Sequence, residues 1–202
     1  TRTANRTELA VESADRHRHA LVAGKAWKTH VPSLPTPDQI VVSFGSDAAR
    51  SIGINWRTQP ETEGTLAEIR RADAPESETT RRWEGRSETV RSYGLINDPV
   101  IRRHMVEIGG LHPATTYLYR VGDGSPRGWS RWREVKTGPA AGSPYRIMYL
   151  GDAQCGLENW GKLLTDAVRR HPDVGAILLA GDLVDRGNER GNWDHFFLRG
   201  RG

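Results

Sequence analysis

From Ser51 to Thr58 the chain reads Ser-Ile-Gly-Ile-Asn-Trp-Arg-Thr, with apolar and polar side chains taking turns. A period of two belongs to a strand with one face buried and the other in water, and it suits no helix. The same style recurs in Ile40–Phe44 and Thr115–Val121, and more weakly in Thr65–Arg70, Thr89–Leu95 and Arg102–Ile108. After a turn at Gly122-Asp123-Gly124, Gly128–Lys136 returns as a further strand. Five to seven short strands at fairly regular spacing predict an all-β sandwich over residues 37–138. Pro32, Pro35 and Pro37 mark where it begins. The preceding residues 1–36 form a polar, basic arm, in which a helix is expected over Thr7–Lys28. His17 and His19 lie there in the run Arg16-His17-Arg18-His19, which reads as a solvated basic face rather than as metal ligands.

Past residues 139–144, a linker rich in Gly and Pro, the style changes. Tyr145–Leu150 is a short apolar strand. Asn159–Arg170 has helical spacing, with Leu163, Leu164, Ala167 and Val168 expected inward. Ala176–Ala180 is a continuous apolar run of the kind buried on both faces. Strand, helix and strand in that order form a βαβ unit, which implies a parallel pair and a right-handed crossover. Residues 145–202 are therefore read as the start of an α/β domain.

Composition narrows the function classes. Ala176–Ala180 is the longest strictly apolar stretch, far short of the ~20 residues a membrane span needs. Residues Thr1-Arg2-Thr3 open the chain without the apolar core of a signal peptide. A single cysteine, Cys155, has no internal disulfide partner and reads as a bystander thiol. The net charge of +4, carried mostly by arginine, is compatible with an anionic substrate and points to no nucleic-acid footprint.

Both apolar strands end in the same dipeptide: Gly151-Asp152-Ala153-Gln154 after the first, Gly181-Asp182-Leu183-Val184-Asp185-Arg186-Gly187 after the second. Parallel neighbours present their carboxyl ends on one edge of the sheet, where open α/β folds form sites. Asp152 and Asp182 should therefore project side by side, and two close carboxylates repel unless a cation lies between them. Hard oxygen donors suit Mg, Mn or Fe and also serve Zn. The alternative is that each Gly-Asp merely opens a turn or caps a helix. Gly122-Asp123 has that plainer role, as a hairpin turn between antiparallel strands.

These two motifs resemble the first two motifs of the calcineurin-like metallophosphoesterases. The sandwich ahead of them, with Ile54-Asn55-Trp56-Arg57-Thr58 and Tyr117-Leu118-Tyr119-Arg120-Val121-Gly122-Asp123-Gly124, resembles the fibronectin-type domain that precedes the catalytic domain in purple acid phosphatases. The resemblance covers residues 37–198. It implies a fibronectin III-like β-sandwich followed by the start of an α/β metallophosphoesterase domain. It also implies a phosphate ester substrate, two divalent or trivalent metal ions (Fe, Mn or Zn), and a secreted or periplasmic setting. By motif match Asp152 binds the first metal and Asp182 bridges both, with a metal-bound hydroxide as nucleophile. Gln154 stands where many relatives have His; its carbonyl oxygen either joins the ligands or hydrogen-bonds behind them.

Asp185 stands where purple acid phosphatases have the iron-binding Tyr, so the resemblance implies no purple charge-transfer band here. The run Asp182–Gly187 instead resembles the Ser/Thr phosphatase form of the motif, in which Asp185 would orient a catalytic His and Arg186 would hold phosphate. A solvent-facing Arg or a loop salt bridge is the alternative for Arg186. Trp193, Phe196 and Phe197 read as core and His195 as their flank. Gly191-Asn192-Trp193 is not the family's Gly-Asn-His motif, because Trp cannot bind a metal and the spacing is too short.

The family's later Asn and His ligands have no counterpart in the 20 residues after Asp182. The chain is expected to hold a sandwich and the opening third of a catalytic domain, and not to turn over phosphate esters alone. The competing expectation is a non-catalytic module: a sandwich that binds a partner or carbohydrate, carrying a vestigial α/β tail.

Overall fold

The computed structural model describes residues 8–12, 18–22, 26–75, 80–154 and 156–200. Cys155 and His17 lie outside them. In the arm, β1 (Glu8–Glu12) pairs antiparallel with β2 (Arg18–Val22), Leu9 opposite Leu21. A hairpin thus stands where a helix over Thr7–Lys28 was expected. From Glu12 to His19 the only apolar residue is Ala14. A helix would have two turns with nothing to bury, and helices depend chiefly on such burial.

Eight strands follow: β3 (Asp38–Phe44), β4 (Ile52–Thr58), β5 (Leu66–Arg71), β6 (Arg81–Glu84), β7 (Arg86–Arg91), β8 (Val100–Ile108), β9 (Thr116–Gly122) and β10 (Arg133–Lys136). They form two four-stranded sheets, β3-β4-β8-β7 and β10-β9-β5-β6, antiparallel at every pairing. This is a fibronectin III-like sandwich. Relative to the sequence reading, β6 is an additional strand, and β7 lies nearer the N-terminus than Thr89–Leu95.

Alternation drives the packing. Ile52, Ile54 and Trp56 on β4 meet Ala67 and Ile69 on β5, Val106 and Ile108 on β8, and Tyr117, Tyr119 and Val121 on β9. Truncating a buried aromatic of this kind to Ala costs about 3–5 kcal/mol. Tyr117 contributes through its polar end as well. Its hydroxyl accepts a 2.9 Å hydrogen bond from the backbone N–H of His112, five residues upstream. Such a tyrosine corner ties the β8–β9 connection to the start of the next strand.

His104 is the one imidazole among the described buried residues, 1% exposed and stacked on Trp56 at 5.0 Å. Thr58 and Thr65 hydroxyls lie 2.8 Å from its Nε2 and Nδ1. Since the Thr58 hydroxyl donates to the Gln59 carbonyl, the ring donates to Thr58 from Nε2 and accepts at Nδ1 from Thr65. Burial, aided by the nearby Arg102 charge, lowers the His104 pKa to about 4.

After the sandwich, β11 (Ile147–Leu150), α1 (Leu157–Arg170) and β12 (Ala176–Leu179) form the expected βαβ unit, with the strands parallel and Leu150 opposite Leu179. A second helix, α2 (Arg190–Arg199), ends the described chain. Trp160, Leu164 and Leu157 of α1 pack with Trp193, Phe196 and Phe197 of α2 over Ala153 and Val184. Two expectations fail here. Leu163 and Val168 face solvent, at 58% and 45% exposure, because α1 turns Trp160 and Leu164 toward α2 instead. The second strand is not buried on both faces: Ile177, Leu178 and Leu179 are all exposed, since β12 has β11 alone beside it.

Helix α2 fastens this unit to the outer face of the first sheet. Asp194, 1% exposed, accepts hydrogen bonds from Arg57 Nη1 (2.6 Å) and Gln39 Nε2 (2.8 Å) at one oxygen, and from Thr29 Oγ1 (2.7 Å) at the other. The Arg57 guanidinium, also buried, binds Asp38 through Nε and Nη2. Arg190, one turn before Asp194, reaches the Asp98 carboxylate and its carbonyl. Gln39 points at Asp194 because the β3 ladder shifts register between Asp38 and Val41 and Gln39 takes φ 47°. Bulges of this kind commonly re-aim one side chain.

Two measurements check this account. Between pH 6.5 and 4 the unfolded chain binds a proton at His104 that the folded chain refuses, so stability is complete above that range and falls on acidification. Urea unfolding at pH 7 and pH 4.5 should differ by about 2–3 kcal/mol from this group, and His104→Asn should remove that part of the difference. Asp194→Ala leaves three buried donors, Arg57 Nη1, Gln39 Nε2 and Thr29 Oγ1, without their acceptor and should cost about 3–5 kcal/mol in the same assay.

Candidate functional site

The carboxyl ends of β11 and β12 lie side by side, as the parallel register requires. Two backbone hydrogen bonds hold the loops beyond them together: Asp152 N–H to the Gly181 carbonyl (3.1 Å) and Gln154 N–H to the Asp182 carbonyl (3.0 Å). Asp152, Gln154 and Asp182 therefore share one edge. Both aspartates take left-handed backbone angles, φ 59° and 48°. Asp tolerates that region better than most residues, yet single departures of this kind concentrate at functional sites. Gly181, at φ 103°, occupies a conformation that a side chain disfavours.

The turn at each aspartate divides the loop. Asp152 and Asp182 are exposed, while Ala153 (2% exposed) and Val184 (9%) drop into the core between α1 and α2. A buried apolar residue thus anchors each loop and leaves its carboxylate to solvent. Trp193 adds a tether, donating from Nε1 to the Gly187 carbonyl at 2.8 Å.

Asp185 and Arg186 are on the same loop, and both are exposed. Arg186 donates to Glu189 at 2.9 Å and lies 3.8 Å from Asp185. The Glu189 hydrogen bond and charge, helped by Asp185, raise the Arg186 pKa. A pair this exposed is worth little, so an incoming oxyanion could replace Glu189 as the partner of Arg186. His195 is exposed on α2, and Gly191-Asn192-Trp193 is helical, in keeping with the plain readings of both.

Two carboxylates and an amide carbonyl are the right kind of donors for a hard cation. Among the described residues no group of three or more His, Cys, Asp or Glu is arranged to hold a metal ion. Also among them, no helix is long and apolar enough to cross a membrane.

The Asp194 cluster was not legible in the sequence. Its one local signal is the spacing of Arg190 and Asp194, which lie one above the other on a helix. Arg57 sits on the outward-facing register of β4, where a charged residue looks solvated until α2 covers it.

Comparison with known proteins reaches residues 37–137, which match the family model "Purple acid Phosphatase, N-terminal domain". Purple acid phosphatase 15 of Arabidopsis thaliana is 37% identical over 94 residues, covering 45% of this chain and 17% of that protein. The chain thus spans about a sixth of this relative's length. Among solved structures, an fn3 domain of human contactin 1 is 20% identical with TM-score 0.36, covering 61% of this chain and 92% of its own. The FN5 domain of Drosophila Lar is 17% identical with TM-score 0.34, covering 54% of this chain and 98% of its own.

Substitutions at the edge separate backbone from chemistry. Asp152→Asn and Asp182→Asn should leave the urea midpoint nearly unchanged, because Asn tolerates the same angles and both sites are exposed. A β-branched replacement, Asp182→Val, should cost about 1–2 kcal/mol from backbone strain alone.

Proposed function

The chain belongs to the purple acid phosphatase N-terminal domain family, and on that premise we propose that it serves metal-dependent hydrolysis of phosphate esters. The observation that carries the reading is the pair of left-handed aspartates, Asp152 and Asp182, locked on adjacent loops at the carboxyl edge of a parallel strand pair. Asp152, Gln154 and Asp182 are the residues that would hold a metal, with Asp182 between two ions. Metal bound there would supply a hydroxide near neutral pH and draw charge from the phosphoryl oxygens.

The protein's own groups do the remaining work assigned here. Arg186 presents a planar guanidinium able to grip a phosphate through two parallel hydrogen bonds, exchanging Glu189 for the substrate. Asp185, 3.8 Å from Arg186, would orient a catalytic His in the form of the motif it resembles. The sandwich holds α2, and through Trp193 the second loop, in place. A secreted or periplasmic setting and a phosphomonoester substrate belong to the same proposal.

The donors offered by the described residues are three, fewer than two ions require, so weak metal binding and no turnover are expected of this chain by itself. Titration calorimetry with Mn²⁺ or Zn²⁺ should show one weak site that Asp182→Asn abolishes; an unchanged isotherm in that variant would remove the basis of the reading. Assays with p-nitrophenyl phosphate should show no metal-dependent turnover. Robust turnover that vanishes in Asp182→Ala would show that these donors suffice, contrary to the incomplete site proposed.

A further inference from the structure

The outer face of the second sheet carries an arrangement that the hydrolase reading leaves unused. Five side chains stack in the order Arg82, Trp129, Arg120, Trp132, Arg70. Each guanidinium carbon lies close to the neighbouring indole centroid, at 5.7, 4.6, 4.8 and 5.4 Å along the series. Three adjacent strands, β6, β9 and β5, supply the arginines, and the β9–β10 connection supplies both tryptophans.

The ladder is held in advance. Glu68, 5% exposed on β5, lies opposite Arg82 and Arg120 in the register; it accepts from Nε and Nη2 of Arg82 and from Nε of Arg120, whose Nη2 pairs with it at 2.6 Å. Burial alone would raise the Glu68 pKa, but the two arginine hydrogen bonds prevail and lower it. Ser130 pins the connection to the sheet: its N–H donates to the Val121 carbonyl at 2.8 Å and its hydroxyl accepts from Val121 N–H at 3.1 Å. Gly122 allows this approach, since a Cβ there would meet the Gly128 carbonyl oxygen at 2.3 Å.

What the face offers is cationic. Three guanidiniums stand against one carboxylate, with exposed Arg131 between the two tryptophans in sequence. Glu84 on β6 and Glu134 on β10 lie at the margins of the same face, with Lys136 two residues beyond Glu134. The Arg82 side chain is 59% exposed and that of Arg120 31%, and Nη1 of each stays outside the Glu68 pair. Single-stranded nucleic acids bind by stacking bases on open aromatic faces. Here guanidiniums cover those faces and leave indole edges alternating with cationic edges. A polymer that carries its anionic groups on CH-rich rings matches that order.

We propose that this face binds a linear acidic polysaccharide. Sulfate or carboxylate groups meet Nη1 of Arg82 and Arg120, and sugar rings lie along the edges of Trp129 and Trp132. The test is the affinity of the purified chain for dextran sulfate, with neutral dextran and oligothymidylate as comparison probes. Dextran sulfate should bind and neutral dextran should not. Arg82→Gln and Arg131→Gln should each raise Kd about fivefold, and Arg82→Lys should recover part of the loss. Arg169→Gln/Arg170→Gln, which removes charge at the end of α1, should change Kd by less than about twofold. Arg131 makes no bond to Glu68, so its variant keeps the test decisive if Arg82→Gln unfolds. Equal weakening by the α1 variant would reduce the effect to net charge and overturn the proposal. Oligothymidylate binding as tight as dextran sulfate would overturn the choice of partner.

Discussion

One buried carboxylate joins the two parts of this protein. Asp194 reaches the sandwich from α2 and accepts hydrogen bonds from three elements of it: the arm at Thr29, the β3 bulge at Gln39 and the β4 strand at Arg57. Two buried charges and a neutral amide share so little space that every donor must be in place. A buried ion pair is weak evidence of stability, because desolvation offsets much of the attraction. Its stronger effect is on geometry. Arg57 is committed to Asp38 and Asp194 together, and burial would lower its pKa were those carboxylates not prevailing to raise it. Arg103, opposite Arg57 in the register, lies over Phe197 and has its pKa lowered by burial and by the Arg57 charge. Opposite like charges are unfavourable on a sheet face. Asp38 and Asp194 compensate for them, which makes this face of the sandwich specific for one helix.

The sandwich was legible because its physics is local. Alternation in Ser51–Thr58 and Thr115–Val121 marks the buried face residue by residue, and the core follows it closely. The βαβ unit was legible for the same reason, down to the shared edge of Asp152 and Asp182. The misreadings arose where a neighbour decides the outcome. Leu163 and Val168 have helical spacing suited to burial, but α1 has one partner and turns Trp160 toward it. Ala176–Ala180 has the composition of a strand covered on both faces, yet β12 pairs with β11 along one edge and its Ile177, Leu178 and Leu179 side chains stay exposed. The arm is polar and basic, and nothing in its sequence reports that Leu9 pairs with Leu21 in the hairpin register.

Pairings distant in sequence were the least legible. No periodicity links Trp129 and Trp132 to Arg82, Arg120 and Arg70, because the ladder depends on the register of three strands. The left-handed backbone at Asp152 and Asp182 is likewise invisible in the residue names. Gly-Asp occurs also at Gly122-Asp123, where it belongs to the β9–β10 connection. What distinguishes the other two is the parallel pair beneath them and the apolar anchors, Ala153 and Val184, that follow.

The Asp194 contacts also bear on the order in which the molecule is assembled. Thr29 and Asp194 are 165 residues apart, and Arg57 and Asp194 are 137 apart. Contacts of such separation carry a loop-closure cost that an unfolded chain meets poorly. The cost falls once the sandwich exists, since folding it gathers Thr29, Gln39 and Arg57 into one preformed receptor. Domains nearer the N-terminus generally fold first during synthesis. Helix α2 then has a template to dock on as it emerges, and the loop carrying Asp182 is set by a structure completed before it.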